Sequence, residues 1–259
     1  MGVLEGKVAC VTGGTRGIGR AIADAFAKEG AKVVINGRDQ AKGRATLDEL
    51  NHGTRVHFVQ GDVTLRDDCE RIIDETVKHF GRIDILVSNA GGAENHAPVA
   101  ELTDEAMQGA LVWNFWHTFW TMRRALSYMI PQGSGRIMTM SSVEGKAGKP
   151  GISTYVASKH AINGLTKSAA KEVGPLGITV NALCPGAIET DVMVAQGPSA
   201  AIAMGITYEE LLAAFASEAA IKRLNEVEDV ANVAVLLASD AGAGITGSMI
   251  SIDGGTSPY

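Results

Sequence analysis

Short apolar runs rich in valine and isoleucine recur along the chain, separated by longer amphipathic stretches. The runs are "KVACVT" at 7–12, "KVVIN" at 32–36, "RVHFVQ" at 55–60, "IDILVS" at 83–88, "RIMTMS" at 136–141, "ITVNAL" at 178–183 and "SMISID" at 248–253. Each has strand length and ends in turn or charged residues, so seven strands are predicted. The segments between them repeat at helical spacing: within 17–30, Ile18, Ala21, Ile22, Ala25 and Phe26 share one face. Strand and helix in alternation imply an α/β fold, a doubly wound parallel sheet with helices on both faces. No fixed-period repeat and no linker rich in Pro, Gly or Ser divides the chain, so residues 1–259 are expected to form one domain. The stretch at 186–218, Ala- and Met-rich and loosely helical, reads either as a substrate lid or as a connecting helix pair.

Composition narrows the partners. With 46% apolar and 20% charged residues, usage is that of a globular protein, which excludes disordered and fibrous classes. Net charge is −6 and no basic run exceeds Arg123–Arg124, so no footprint for nucleic acid or an anionic membrane is expected. Cys10, Cys69 and Cys184 are too scattered for a disulfide framework or a zinc site, and read as free thiols in a reducing compartment. No metal is expected. The chain has no signal-like leader and no apolar run of membrane-spanning length, so a soluble cytoplasmic protein is predicted. The opening Met-Gly does not continue as a myristoylation signal, because Gly6 stands where Ser or Thr is required.

Chemistry enters directly after the first strand, where "TGGTRGIG" at 12–19 leads into the first helix. Glycines at such a turn let backbone N–H groups approach a pyrophosphate at the positive end of the helix dipole. Gly13, Gly17 and Gly19 are the candidates for a dinucleotide-binding turn. The second strand ends "Asn36-Gly37-Arg38", with no acid at Gly37 and with Arg16 inside the glycine loop. Two guanidinium groups suit a 2′-phosphate, so NADP(H) is the expected cofactor. NAD(H) is the alternative, with Asp39 accepting from the ribose.

In "STYVASKH" at 153–160, Tyr155 and Lys159 lie one helical turn apart. That spacing alone suits either a proton-transfer device or a solvated helix face. The wider pattern decides. Thr12-Gly13-x-x-x-Gly17-x-Gly19, Asp62 in "GDVT", Asn89-Ala90-Gly91, Asn114, Ser142, Tyr155-x-x-x-Lys159, Pro185-Gly186 with Thr190 and "DGG" at 253–255 occur in one order over nearly the whole chain. In this the sequence resembles the short-chain dehydrogenase/reductase family, which implies a single-domain Rossmann-like fold and an NAD(P)-dependent oxidoreductase.

The resemblance implies a catalytic set of Asn114, Ser142, Tyr155 and Lys159. Reducing a ketone needs a hydride at carbon and a proton at oxygen, and Tyr155 is the acid. Ser142 would hold the substrate oxygen, and Asn114 a water passing protons through Lys159 to solvent. A unit charge ~4 Å away at an effective dielectric of about 20 is worth roughly 4 kcal/mol, so Lys159 is expected to draw the Tyr155 hydroxyl toward a neutral pKa. By the same resemblance, Gly13, Thr15, Arg16, Gly17, Ile18 and Gly19 hold the cofactor's phosphates, with Arg38 beyond them. Asp62 and Val63 flank the adenine, although a turn role for Asp62 is also open. Asn89, Ala90 and Gly91, Tyr155 and Lys159, then Pro185, Gly186, Ile188 and Thr190 complete the cofactor groove.

Substrate residues are named more sparsely: Glu144, His96 in the loop at 93–98, and Met193 of the lid segment, whose Val194, Ile202 and Met204 suggest a hydrophobic substrate. A carboxylate at 144 disfavours acidic substrates unless it is paired. The sequence is similar both to 3-oxoacyl reductases and to secondary-alcohol dehydrogenases. In the former, basic residues beside the entrance dock a carrier protein, at positions aligned with the uncharged Gly133 and Leu176. A small hydrophobic or cyclic ketone is therefore expected, with 3-oxoacyl thioesters second and a non-catalytic dinucleotide sensor third. The aromatic stretch "VWNFWHTFW" at 112–120 places Trp113, Trp116 and Trp120 on one helical face, with Phe115 and Phe119 near the opposite flank. Family members pair this helix between subunits, so a homotetramer is expected, with a dimer as the alternative.

Overall fold

The computed structural model describes residues 2–94 and 96–257; Met1, Asn95, Pro258 and Tyr259 lie outside it, so the loop at 93–98 is described without Asn95. Seven strands, β1 (Val8–Val11), β2 (Lys32–Gly37), β3 (Val56–Gln60), β4 (Ile85–Ser88), β5 (Gly135–Met140), β6 (Ile178–Pro185) and β7 (Met249–Ile252), form one sheet. Every pairing is parallel and the order is β3-β2-β1-β4-β5-β6-β7. The chain winds outward from β1 in one direction and from β4 in the other. The crevice between those strands, at their C-terminal ends, is where such sheets bind ligands.

β1, β4 and β6 are buried along their whole length because helices cover both faces, whereas the edge strands β3 and β7 carry partly exposed positions. Along β1 and β2, Ala9, Val11, Val33 and Ile35 face one core while Cys10 and Val34 face the other, the period of two that a pleated strand imposes. The first core is closed by α1 (Gly17–Lys28) and, near the chain's end, by the helix at Val227–Ala238; Ile22 and Phe26 of α1 are fully buried there. α2 (Gln40–Leu50) packs beside them through Leu47 and Leu50. The second core is closed by α3 (Arg66–Phe80), by α5 (His117–Gln132), which continues α4 (Asp104–Leu111), and by α6 (Ser153–Val173). Burying a side chain such as Phe26 or Ile72 contributes about 1.5–3 kcal/mol each.

Between β6 and the last helix the chain forms α7 (Asp191–Ala203) and α8 (Tyr208–Glu218), followed by α9 (Val227–Ala238). The segment at 186–218 is thus a helix pair. Its second member starts at a capping box between Thr207 and Glu210, and Val194, Ile202 and Met204 are exposed on the first member and the turn after it.

Two expectations change. Phe115 and Phe119 do not lie away from the tryptophans: both rings pack edge-on against Trp116, at 5.6 and 5.9 Å, while Trp116 stacks on Trp120. The cause is a π turn at Val112–Trp116, whose extra residue breaks the even helical spacing. Gly133 and Leu176, expected beside the site entrance, precede β5 and β6 and so sit at the opposite end of the sheet from Ser142. Within one chain their lack of charge says nothing about access to the site.

The three cysteines are buried free thiols, and among the described residues no helix is long and apolar enough to cross a membrane.

Candidate active site

Thr12, immediately after β1, organises the crevice. Its Oγ1 accepts from the backbone N–H of Asn89 (2.9 Å) and Ala90 (3.2 Å), tying β1 to the end of β4. The Asn89 Nδ2 returns the contact by donating to the Thr12 carbonyl at 2.9 Å and the Gly13 carbonyl at 3.3 Å. A Cβ at Gly19 would fall 2.4 Å from Asn89 Nδ2, so the first turn of α1 reaches this junction only with glycine there.

At the start of α1, Gly17 N–H donates to Asp191 Oδ2 at 3.1 Å. The N–H groups of Ile18 and Gly19 have no acceptor among the described residues. Unpartnered N–H groups at a helix N-terminus fit an anionic ligand. Arg16 precedes the helix, exposed and without a side-chain bond to it. Thr15 packs against Gly37, where a Cβ would be 2.9 Å from its methyl carbon.

Beyond β2 and β3, Arg38, Gln60, Gly61, Asp62, Asp68 and Arg71 line one depression. Arg71 pairs with Asp68 at 2.6 Å, and that guanidinium with the Asp62 N–H holds the Asp68 carboxyl below its usual value against its partial burial. Arg38 pairs with no acid among the described residues, so its charge is available to a ligand. Asp39 caps α2, its Oδ1 accepting from the N–H groups of Ala41 and Lys42 at 2.8 and 3.1 Å. Asp62 does close a turn, with Oδ1 on the N–H and hydroxyl of Thr64, and Val63 is buried in the second core. This crevice, with its unpartnered N–H groups and unpaired arginine, fits a dinucleotide phosphate.

The far end is built on β5, β6 and α6. Ser142 caps a short turn at Val143–Gly145: Glu144 N–H donates to its Oγ at 3.2 Å, and its hydroxyl donates to the Glu144 carboxylate. Lys159 is buried, its Nζ donating to the Met140 carbonyl at 2.7 Å and lying 5.2 Å from the Tyr155 ring centre. Burial pulls Lys159 down to about 7. Tyr155 is half-buried by area with its hydroxyl deep among protein atoms, and burial pushes it above its ordinary value; the nearby Ser142 hydroxyl offsets this and the Glu144 charge adds to it. The expected pull of Lys159 toward neutrality is not found: burial of the phenolate is the largest influence on Tyr155, and it acts in the opposite direction. The tyrosine holds its proton at neutral pH.

Asn114 sits in the π turn, fully buried. Its Nδ2 donates to the carbonyls of Ala110 and Gly92, both at 3.0 Å, and its Oδ1 accepts from Gly92 N–H at 3.1 Å. The helix is thereby fastened to the chain after β4. A Cβ at Gly91 would meet Asn114 Oδ1 at 2.5 Å and Lys159 Nζ at 3.6 Å, so these three converge. Pro185 closes β6, Gly186 backs onto Asp253, and Ile188 is buried and bridges to Asn225. Thr190 Oγ1 accepts from Met193 N–H at 3.4 Å.

Of the substrate residues, Glu144 touches Ser142, Met193 is half-buried beside Thr190, and His96 is exposed on its loop with no side-chain bond to the catalytic set. The sequence reading missed His117, whose Nε2 lies 2.9 Å from Thr12 Oγ1, and Asp191 at the start of α1. Spacing from Asn114 is the one signal that pointed toward His117.

Comparisons with known proteins agree with this geometry. The family described as Enoyl-(Acyl carrier protein) reductase matches residues 13–257. A (+)-borneol dehydrogenase 2 from Salvia officinalis is 37% identical over 97% of this chain and 89% of its own. A D-beta-hydroxybutyrate dehydrogenase from Rhizobium meliloti is 38% identical over 96% and 98%, and a 3-oxoacyl-[acyl-carrier-protein] reductase from Staphylococcus aureus 36% over 96% and 97%. Among solved structures, a variant of actinorhodin polyketide ketoreductase with NADPH superposes with a TM-score of 0.93 at 32% identity, covering all of both chains. Full-length likeness of this kind, joined to the sheet order and the ordered motifs, leaves one conclusion: the chain belongs to the short-chain dehydrogenase/reductase family and is an oxidoreductase acting on CH–OH groups with NAD(P).

Proposed function

We propose that this enzyme reduces a hydrophobic ketone, cyclic ketones included, to its secondary alcohol with NADPH. The observation that carries it is the convergence of Tyr155, Lys159 and Asn114: Lys159 Nζ lies 5.2 Å from the Tyr155 ring centre, and a Cβ at Gly91 would meet both Asn114 Oδ1 and Lys159 Nζ, which puts a proton donor beside a route for its replacement. NADP(H), when bound, supplies the hydride. Ser142 fixes the substrate oxygen, Tyr155 donates the proton as negative charge builds there, and Lys159 with Asn114 returns a proton from solvent. The unpaired Arg38 and Arg16, whose chain neighbours Gly37 and Thr15 pack together, favour a 2′-phosphate. Ile18, Gly19, Asn89, Ala90, Gly91 and Thr190 line the path from pyrophosphate to nicotinamide.

The exposed apolar side chains of α7 and the borneol and polyketide relatives support a hydrophobic ring as substrate. A 3-oxoacyl thioester is the second reading, favoured by the Staphylococcus aureus relative and no longer opposed by Gly133 and Leu176. Initial rates of NADPH oxidation with cyclic and aryl ketones, beside acetoacetyl-CoA and with NADH for comparison, decide between them. Turnover confined to ketones supports the first reading, and a dominant thioester rate replaces it with the second.

The enzyme acts as a homotetramer in this reading, a dimer being the alternative. Trp116, 38% exposed in the single chain and stacked on Trp120, is the support. Sedimentation as a monomer at micromolar concentration overturns it.

A further inference from the structure

Ser142 has one hydroxyl proton, and two groups require it. In the proposed reaction it goes to the substrate oxygen; in the structure it goes to the Glu144 carboxylate. The return bond from Glu144 N–H, 3.2 Å, holds the two residues in one tight turn, which keeps the carboxylate within reach of the Ser142 hydroxyl. Glu144 is half-buried and forms no ion pair among the described residues; the buried Lys159 of the same site feels its charge without bonding to it. The nearest basic neighbours in sequence are engaged elsewhere: Lys146 donates to Ser251 Oγ at 2.6 Å, and Lys149 pairs with Glu218 at 3.4 Å.

A simple ketone faces a poor exchange at this site. To accept from Ser142 it must break the Ser142–Glu144 bond and leave a half-buried carboxylate with no donor, which is costly for a charged acceptor. A substrate that brings its own donor avoids this. In an α-hydroxy ketone the hydroxyl and carbonyl oxygens sit on adjacent carbons, a separation suited to two protein atoms that are themselves within hydrogen-bonding distance. The substrate hydroxyl donates to Glu144, Ser142 turns its proton to the carbonyl, and every group is satisfied.

We propose that Glu144 is a specificity-determining residue that accepts a hydrogen bond from a hydroxyl on the carbon beside the reacting carbonyl, so that the substrate class is an α-hydroxy ketone reduced to a vicinal diol. The inference rests on the ketone-reductase reading above and adds the second functional group to it. In the step itself the hydride forms a C–H bond at the carbonyl carbon as the C=O π bond breaks. The oxygen takes the Tyr155 proton, and the neighbouring hydroxyl is unchanged. A substrate with a carboxylate in that place is disfavoured, since it would set a second negative charge against Glu144, whose only bonded donor is Ser142.

The test is a set of aryl ketones that differ only at the α-carbon: 2-hydroxyacetophenone, 2-methoxyacetophenone, acetophenone and benzoylformate, each with NADPH. The methoxy compound has nearly the same inductive pull on the carbonyl but no donor. Wild-type enzyme is expected to favour hydroxy over methoxy by about 10-fold or more in kcat/KM, the scale of one satisfied polar group, and to reject benzoylformate. In Glu144→Val that ratio falls to about twofold or less, and benzoylformate gains. Glu144→Gln keeps part of the preference, because its amide oxygen still accepts. NADPH binding by fluorescence establishes that each variant is folded. Equal wild-type rates on the hydroxy and methoxy ketones, or a preference that survives in Glu144→Val, overturns the role of Glu144 alone. Turnover of acetoacetyl-CoA with none of the aryl ketones overturns the underlying ketone reading, and this inference with it.

Discussion

His117 Nε2 lies 2.9 Å from Thr12 Oγ1, joining the middle of the long α4–α5 helix to the loop that opens α1. Thr12 Oγ1 also accepts backbone N–H bonds from Asn89 and Ala90 and lies 3.5 Å from the Val87 carbonyl, so one hydroxyl gathers β1, the end of β4 and the imidazole. The ring is neutral, because burial disfavours its charged form. One buried histidine thus holds the phosphate turn and the π-turn helix in register.

Burial, with the nearby Lys159 charge adding to it, lowers His117 from an ordinary 6.5 to about 3. Between those values the unfolded chain binds a proton that the folded chain refuses. Stability from this group is therefore complete above pH 6.5 and is lost as pH falls toward 3. His117→Gln, which keeps a polar partner for Thr12, is expected to be less stable at pH 7. Its unfolding free energy should also fall less steeply on acidification, by up to about 1.4 kcal/mol per pH unit for one proton. Urea unfolding at pH 7, 6, 5 and 4 measures both slopes, and parallel slopes would refute the assignment.

Tyr155→Phe removes the acid without removing the ring that packs near Lys159. Positioned acid catalysis is worth about 10²–10⁴-fold, so kcat for ketone reduction should drop by that factor with NADPH affinity little changed. A loss under tenfold would move the acid to another residue.

How far these residues were legible differs with what each depends on. The strands could be read because burial on both faces makes their segments rich in Val and Ile, most completely in the interior of the sheet, where β1, β4 and β6 are buried at every position. Ser142, Tyr155, Lys159 and Asn114 could be read from motifs in a fixed order. The shift of Tyr155 could not, since its sign depends on how many atoms the tertiary fold packs around the hydroxyl. Nor could the π turn at Val112–Trp116, which inserts one residue into an otherwise even helical pattern. Gly133 and Leu176 were misplaced because they were positioned by alignment to the family, although their places before β5 and β6 already set them at the other end of a parallel sheet from Ser142.

Arg38 is expected to set cofactor choice. A charge-assisted bond to a 2′-phosphate contributes about 1.5–3 kcal/mol, so Arg38→Ala should lower kcat/KM for NADPH by roughly 10- to 100-fold and leave NADH nearly unaffected. Equal losses for both cofactors would assign Arg38 a structural part only.

The last expectation concerns Asp191, the first residue of α7, whose Oδ2 takes the Gly17 N–H at 3.1 Å. The carboxylate sits at the positive end of the α1 dipole, where a pyrophosphate would bring its own negative charge. A charged side chain at a helix N-terminus is worth about 0.3–1 kcal/mol, so the bond fastens the helix pair to α1 while like-charge repulsion opposes the cofactor. Asp191→Asn keeps an acceptor oxygen and removes the charge. NADPH should then bind about 2- to 5-fold more tightly at low ionic strength. The difference from wild type should shrink at high salt, where exposed charges are screened. Fluorescence titration at two salt concentrations measures this, and weaker binding by the variant at low salt would mean that Asp191 organises the turn for the cofactor rather than competing with it.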